Sequence, residues 1–318
     1  MLLASKCLKP SSRLNPSPDL EYIPPYPSFF VRYQIKHTTT YRYSQPVTLQ
    51  PHILRLRPRS DGHQTLQSFT VQVSPIPQQQ SHLVDLEGNQ TIKLWFNPEP
   101  TEELSIQVQS QVETHCVNPF NYLMEPWALH LPIDYPSSFL AQIQPYLVGA
   151  PGHLTHRVDA AIVQLAHDIQ HRVNSNTSLF LSELTQEIYT TCKHLIRETG
   201  DPFPSGLTWA QRAGSCRDLT VLFMDVCRTI GLPSRFVSGY QEGDLDNPER
   251  HLHAWAEVYL PGAGWRGFDP THGLAVADRH IALVASSIPS YTAPLPGAYS
   301  PGAARSTMFY DLMIHVIA

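Results

Sequence analysis

The sequence lacks the features that mark several classes of protein. Its 318 residues contain no apolar run near the length of about 18 residues that a membrane-spanning helix needs. Charged side chains make up only 15% of the chain, and the formal net charge of -5 provides no basic excess for binding nucleic acid. Hydrophobic residues still reach 42%, which is ordinary for a folded chain with a core. The composition therefore predicts a globular protein with neither a nucleic acid nor a membrane partner.

Cysteine is also scarce. The five cysteines are an odd number without paired spacing, and the chain is too long to depend on a disulfide scaffold. Cys216 and Cys227 fall on one predicted helix, about 16 Å apart along its axis, so they cannot form a disulfide with each other. The apolar run at the start of the chain is too short for the core of a secretion signal. We therefore expect reduced thiols and a cytoplasmic protein.

Proline, by contrast, is abundant, and its 29 copies favour loops and edge strands over a helical bundle. Residues 1–30 are rich in proline and serine without periodicity, and we expect a flexible arm there. Residues 31–118 alternate apolar and polar side chains between turn residues, which predicts an antiparallel β-sandwich domain. Residues 119–154 then form a predicted linker, and residues 155–318 a second domain that ends in strands.

The second domain begins with helical periodicity. Apolar spacing predicts helices from about Thr155 to Val173 and from about Ser182 to Thr199, and a shorter helix near 137–146 within the linker. Antiparallel strand patterns follow, so we predict an α+β fold rather than alternating α and β elements. The last run, MFYDLMIHVIA, predicts a buried strand that returns to one of the sheets.

The segment at residues 214–218, Gly-Ser-Cys-Arg-Asp, predicts the start of an amphipathic helix. Ser215 suits the N-cap, and apolar residues then recur along one face until Gly231 and Pro233 end the helix. Cys216 falls in the first turn, where free backbone N–H groups and the helix dipole lower the pKa of a thiol. The alternative is a small apolar residue packed under the helix end, as most free cysteines are.

A predicted β-hairpin supplies the two partners that a nucleophilic cysteine needs. The strand that begins at His251 alternates, turns at residues 261–264 and returns to Asp269. This hairpin pairs positions whose numbers sum to about 522–524, so His253 faces Asp269 or its neighbours from the same side of the sheet. The imidazole can take the thiol proton, and the carboxylate can orient the imidazole. By themselves, His253 and Asp269 are also consistent with an ion pair at the protein surface. With Cys216 upstream, the sequence order Cys, His, Asp favours a catalytic role.

A family resemblance rests on two runs, GSCRDLTVLFMDVCRTIGLPSRFVSGY and HAWAEVYLPGAGWRGFDPTHG. Both resemble the transglutaminase-like superfamily of papain-type thiol enzymes, especially bacterial members described as cysteine proteases. The resemblance covers about residues 155–280 and implies a papain-like core with Cys216, His253 and Asp269 as catalytic residues. The segment from about residue 33 to 118 is similar to the N-terminal domain often joined to these enzymes. The resemblance implies no metal and no organic cofactor.

Three further side chains are candidates for contact with the substrate. The backbone N–H of Cys216 suits one donor to an oxyanion, and Trp209 or Gln211 suits a second, unless these two only pack. Trp255, two residues after the histidine on the same face, is expected either to line an acyl or peptide groove or to be buried. Asp218 is expected to form an ion pair at the surface.

A zinc site is the alternative use of these residues. His251 and His253, with Cys216, Asp269 and His272, contain the right donor types, but no pair has a usual zinc-finger spacing. The sequence therefore favours no metal.

Three functions remain open on the sequence. The first is a thiol enzyme that attacks an amide of a protein or peptide and forms a thioester; water then completes hydrolysis, whereas an amine completes transglutamination. The nucleophile is common to both, and only the resemblance favours hydrolysis. The second is a non-catalytic binding module, against which the intact Cys, His and Asp set counts. The third is a zinc-bound or redox thiol protein.

Overall fold

The structure, a computed structural model, describes residues 30–147, 158–197, 200–243 and 251–317. The helices described are α1 (Ser137–Leu147), α2 (Ala160–Arg172), α3 (Thr177–Thr191), α4 (Ser205–Gln211) and α5 (Cys216–Thr229), with short 3-10 turns at Pro126–Ala128 and Pro289–Thr292. The strands described are β1 (Val31–Leu49), β2 (His52–Leu54), β3 (Gln64–Ser74), β4 (Gln79–Val84), β5 (Gln90–Trp95), β6 (Thr101–Thr114), β7 (Lys193–His194), β8 (Ala213–Gly214), β9 (Ser234–Gln241), β10 (Leu252–Leu260), β11 (Gly264–Asp269), β12 (Leu274–Ala275), β13 (His280–Ser286), β14 (Tyr299–Ser300) and β15 (Ser306–Val316). None of the helices in these ranges is long and apolar enough to cross a membrane.

The N-terminal region consists of two packed antiparallel sheets. One has the order β14-β1-β6-β3 with β15 added to β1, and the other has the order β2-β5-β4. Alternation explains the packing: Leu104, Ile106 and Val108 of β6 are buried, and the residues between them are more exposed. Ile92 and Leu94 of the smaller sheet join them in one hydrophobic core. The predicted N-terminal β-sandwich and the α+β class are confirmed.

The C-terminal strand returns to this first sheet. β15 pairs with β1 in an antiparallel register that places Ile314 opposite Ile35 and Val316 opposite Tyr33. The prediction that the last run rejoins a sheet is therefore confirmed, but the predicted burial is wrong, because Leu312 is the one buried residue of β15. The domain boundary at residue 154 stays a prediction. The final strand, β15, is hydrogen-bonded to the sheet of the N-terminal region and not to the sheet that contains β10 and β11.

The second sheet carries the candidate chemistry and has the antiparallel order β12-β11-β10-β9-β13. The apolar face of α5 packs on it: Leu222, Phe223 and Val226 share a core with Ala256 and Val258 of β10. Burying each such large aliphatic or aromatic side chain contributes about 1.5–3 kcal/mol to folding. This packing holds the first turn of α5 beside the end of β10.

Part of the predicted layout falls outside the described residues. The arm predicted for residues 1–30 is described only at its last residue, and the linker predicted for residues 119–154 only as far as Leu147. Inside that linker, α1 confirms the predicted short helix. The helix predicted from about Thr155 is confirmed as α2, whose described start is Ala160.

The next helix, α3, differs from its prediction at both ends. It begins at Thr177 rather than about Ser182, because the side chain of Asn176 caps it by accepting the backbone N–H of Leu179. It ends at Thr191, well before the predicted end, and the chain then extends into β7, which pairs with β8 in parallel. An extended segment therefore stands where the periodicity predicted helix.

Two amide side chains join the N-terminal region to the edge of the second sheet. Gln64 accepts the N–H of Ala282 at 2.7 Å and donates to its carbonyl at 2.9 Å. Asn89 contacts Ala285 in the same way, at 2.9 and 2.7 Å. Each amide completes the hydrogen bonding of a buried residue on β13, the edge strand, much as a neighbouring strand would.

Candidate active site

Cys216 is the first residue of α5, as the sequence predicted. Ser215 is the N-cap, and the carboxylate of Asp218 accepts both its backbone N–H at 2.7 Å and its hydroxyl at 2.8 Å. The turn is tight: a Cβ on Gly214 would lie 2.8 Å from the Cβ of Asp218, so glycine is required there. The cap therefore fixes the thiol at a helix start, where the dipole favours a negative charge.

Asp218 is not the surface ion pair that we expected. Its side chain is fully buried, and its Oδ1 accepts the backbone N–H of Phe203 at 2.7 Å and the guanidinium of Arg197 at 2.6 Å. A buried carboxylate needs such partners, because leaving it unpaired would be strongly unfavourable. The residue thus ties the helix start to the loop before α4, which a helical-wheel argument alone does not reveal.

His253 and Asp269 form the contact that the hairpin register predicted. β10 pairs with β11 so that Ala256 lies opposite Phe268, a register that sums to 524. Just beyond this ladder, His253 Nε2 lies 2.7 Å from Asp269 Oδ2. His253 is only 9% exposed and Asp269 is fully buried, so the pair lies inside the fold rather than at its surface.

Two more imidazoles contact the same carboxylate. Asp269 Oδ2 also lies 2.8 Å from Nδ1 of His272 and 3.0 Å from Nε2 of His280. Its Oδ1 accepts the backbone N–H of Thr271 at 2.9 Å. Burial alone would raise the pKa of Asp269, but the contact with His253 and these donors holds the pKa well below its usual range. The carboxylate is therefore ionised and fixed in orientation.

The thiol lies at the other end of this chain of contacts. Burial alone would raise the pKa of Cys216, but side-chain hydrogen bonds with His194 and His253 outweigh it and lower the pKa to about 6. Burial likewise opposes a charge on His253, but the nearby Asp269 raises its pKa to about 10. Near neutral pH the favoured state is therefore a thiolate beside an imidazolium, with a carboxylate behind it.

His194 was missed by the sequence reasoning. It lies on β7, a strand of only two residues whose pairing with β8 places it opposite Gly214. The apolar spacing predicted a helix at this position. A strand of two residues is too short to show an alternating pattern that would have argued against the helix. The pair Thr190–Thr191 just before it was a weak signal, because β-branched residues disfavour a continuing helix.

The predicted oxyanion and substrate residues lie elsewhere. Trp209 packs against the core with the Arg212 guanidinium 3.5 Å above its ring, and Gln211 is exposed at the end of α4. Their proposed roles stay predictions without a described contact to the thiol. Trp255 is 1% exposed, with its ring against that of His280 at 5.2 Å. Trp255 is therefore buried, and its proposed role beside a substrate groove stays a prediction.

A metal-like grouping does occur among the described residues. One donor atom each from His253, Asp269 and His280 lie within 4.8 Å of one another. Ligands of one tetrahedral zinc ion are about 3.3 Å apart at usual bond lengths, whereas His253 Nε2 and Asp269 Oδ2 are only 2.7 Å apart. That distance fits a charge-assisted hydrogen bond, so these two atoms are not spaced as ligands of one zinc ion. The predicted lack of a metal stays a prediction.

A helix that begins at a cysteine and packs on antiparallel strands bearing a histidine and an aspartate defines the transglutaminase-like class of fold. Two family models match the chain. The bacterial transglutaminase-like N-terminal region matches residues 33–113, and the transglutaminase-like superfamily core matches residues 164–270. The segment that matches the transglutaminase-like superfamily core contains Cys216, His253 and Asp269.

Individual relatives match this chain over different lengths. An uncharacterised protein of Mycobacterium leprae is 29% identical over 295 residues, which cover 90% of this chain and 98% of that protein. A protein-glutamine gamma-glutamyltransferase of Pseudomonas aeruginosa is 37% identical over 71 residues, 20% of this chain and 11% of that one. The crystal structure of a proposed cysteine protease from Cytophaga hutchinsonii superposes with a TM-score of 0.70 at 19% identity, covering 91% of both chains. This superposition shows a shared fold.

Proposed function

We propose that the protein is a thiol enzyme that cleaves amide bonds in a protein or peptide substrate. The observation that carries this proposal is the 2.7 Å contact between His253 and Asp269 next to Cys216, whose pKa is lowered by side-chain hydrogen bonding to His253. This is the nucleophile, base and orienter arrangement of a catalytic triad. A binding module that had lost catalysis would have no need for a buried ion pair next to a thiol in the first turn of a helix.

The proposed reaction has two halves. The Cys216 thiolate attacks the substrate carbonyl carbon, and the carbonyl oxygen takes the negative charge, which the Cys216 backbone N–H stabilises. The C–N bond then breaks, the His253 imidazolium gives its proton to the departing amine, and a thioester remains. In the second half, neutral His253 takes a proton from water, which attacks the thioester and releases the acid and the thiolate.

Amine transfer is the second candidate. The gamma-glutamyltransferase of Pseudomonas aeruginosa is 37% identical over the stretch that it shares with this chain. The same thioester would form from a glutamine side chain with loss of ammonia, and a primary amine would replace water in the second half. Hydrolysis stays the preferred reading, on the family resemblance alone.

Alkylation of the thiol as a function of pH tests the triad. We expect iodoacetamide to label Cys216 with an apparent pKa near 6, and His253→Ala to return it towards the value of about 8.5 for a free thiol. Cys116 is the internal control, because it is half-buried and burial raises its pKa. If Cys216 is labelled no faster than Cys116 at pH 6, the proposal is wrong.

Product analysis separates the two reactions. Incubation with a peptide library yields new amino termini if the enzyme hydrolyses peptides, and incubation with a fluorescent primary amine labels glutamine if it transfers amines. Cys216→Ala should remove either product, whereas Cys116→Ala should keep it. We also propose a cytoplasmic location, which rests on the cysteine usage and which cell fractionation tests.

A further inference from the structure

Two imidazoles contact the nucleophile sulfur from different surroundings. Cys216 has side-chain hydrogen bonds with both His194 and His253. His253 is buried, and its second nitrogen is committed to Asp269. His194 is exposed and lies on a different element, β7. One imidazole therefore reaches the sulfur from inside the fold and the other from the solvent side.

The backbone holds His194 in this place. On one side of it the N–H of Lys193 donates to the carbonyl of Arg212 at 2.8 Å, and on the other the N–H of Leu195 donates to the carbonyl of Gly214 at 2.9 Å. Both acceptors lie within a few residues of the thiol in sequence. His194 and the nucleophile are therefore fixed to the same short ladder.

Two arginines tie the residues that follow His194 to the first turn of α5. Arg197 reaches the buried carboxylate of Asp218 at 2.6 Å, and Arg217 donates to the carbonyl of Arg197 at 2.6 Å. The segment after His194 is thus tied to the first turn of the helix by side chains of both partners. A histidine mounted on such a braced segment keeps a defined distance from the sulfur.

We propose that His194 is a second catalytic histidine, which donates an N–H to the Cys216 sulfur from the solvent side and stabilises the thiolate of the resting enzyme. This inference rests on the proposed function. An imidazole N–H that donates to the sulfur keeps its proton, so no further proton is moved when the sulfur attacks. Donation to an anion favours the charged form of the acceptor, which agrees with the lowered pKa of Cys216.

The inference has a kinetic signature that simple packing lacks. If loss of the donor raises the thiol pKa by about one unit, the thiolate fraction below that pKa falls about tenfold. Each thiolate then becomes about threefold more nucleophilic, because nucleophilicity rises with thiol basicity with a slope of about 0.4–0.5. The variant should therefore react about threefold more slowly at acidic pH and about threefold faster at alkaline pH.

The test is the alkylation rate of Cys216 between pH 4 and 10 in the full-length protein, read by mass spectrometry of the labelled peptide. We expect the profile of His194→Ala to cross that of the wild type as described. The pH profile of His194→Gln, which keeps an N–H donor, should lie closer to the wild-type profile. The profile of the neighbouring Lys193→Ala should superpose on the wild-type profile. If His194→Ala does not fold, His194→Phe keeps a ring without a donor and serves instead.

The outcomes separate this inference from the proposed function. A wild-type thiol that titrates near 8.5 and ignores His253→Ala overturns both proposals. A low thiol pKa that is lost in His253→Ala but unchanged in His194→Ala overturns only the role of His194. A uniform slowing at all pH values in His194→Ala also overturns it, because that result reports misplacement of the thiol rather than loss of a donor.

Discussion

One oxygen of Asp269 lies within 3.0 Å of nitrogen atoms from three imidazoles, those of His253, His272 and His280. Only the first of them also reaches the nucleophile. Burial lowers the pKa of His280, so this ring is neutral and donates Nε2–H to the carboxylate. A neutral donor holds the carboxylate in place without adding a positive charge that would compete with the imidazolium of His253.

Replacing this carboxylate tests its role directly. In Asp269→Asn the amide keeps the volume but no longer carries the charge that raises the pKa of His253, and it permits the wrong tautomer. We expect kcat to fall by about 10⁴-fold, the order found when the orienting carboxylate of a triad is changed in this way. Asp134→Asn, at an exposed site, is the matched control and should keep full activity. An Asp269→Asn enzyme within tenfold of the wild type would contradict the assignment.

The two shifted pKa values predict a bell-shaped pH profile. The pKa of Cys216 is lowered to about 6, so kcat/KM should rise as pH increases through that value and the thiol deprotonates. The pKa of His253 is raised to about 10, so the proton needed by the leaving amine is lost only above that pH, and kcat/KM should then fall. Steady-state rates on one peptide across this range provide the check. A single rise near pH 8.5 would instead report an ordinary thiol.

At the scale of single elements, the sequence was sufficient to predict the two parts of the candidate site that depend on local sequence patterns. The start of α5 follows from an N-cap serine and an apolar stripe, and the hairpin register follows from period-two alternation around one turn. Both put the predicted residues where the structure has them. The end of α3 obeys no such rule, because β7 exists only through pairing with β8, and β8 is remote in sequence. His194 was lost with that boundary.

The helix cap makes an element-scale prediction. Asp218→Ala removes the acceptor for Ser215 and the buried carboxylate that pairs with the guanidinium of Arg197. Breaking such a buried pair costs about 3–5 kcal/mol, so we expect the free energy of unfolding to fall by about that amount. Denaturant titration followed by circular dichroism measures it. Asp168→Ala, at an exposed position on α2, is the control and should change the free energy by less than about 0.5 kcal/mol.

At the scale of the whole molecule, the N-terminal region borders the candidate active site through β13. The strand begins at His280, which contacts Asp269, and its outer edge is completed by the amides of Gln64 and Asn89. Neither amide was predicted to matter. A glutamine at the start of β3 and an asparagine just before β5 carry no sequence pattern, and their common partner, β13, is about 200 residues away in sequence. Only the assembled fold shows that the two regions share an edge strand.

Hydrogen exchange along that edge tests whether the two amides act locally. In Gln64→Ala the N–H of Ala282 loses its acceptor, so its exchange should accelerate, while the N–H of Ala285 stays protected by Asn89. Asn89→Ala should give the reverse pattern, so each variant serves as the control for the other. An unmade buried hydrogen bond costs about 1–3 kcal/mol, which corresponds to about a 5- to 150-fold faster exchange at the affected site. Equal acceleration at both sites in either variant would mean that β13 opens as one unit. The N-terminal region would then support the whole strand beneath Asp269 rather than two separate positions on it.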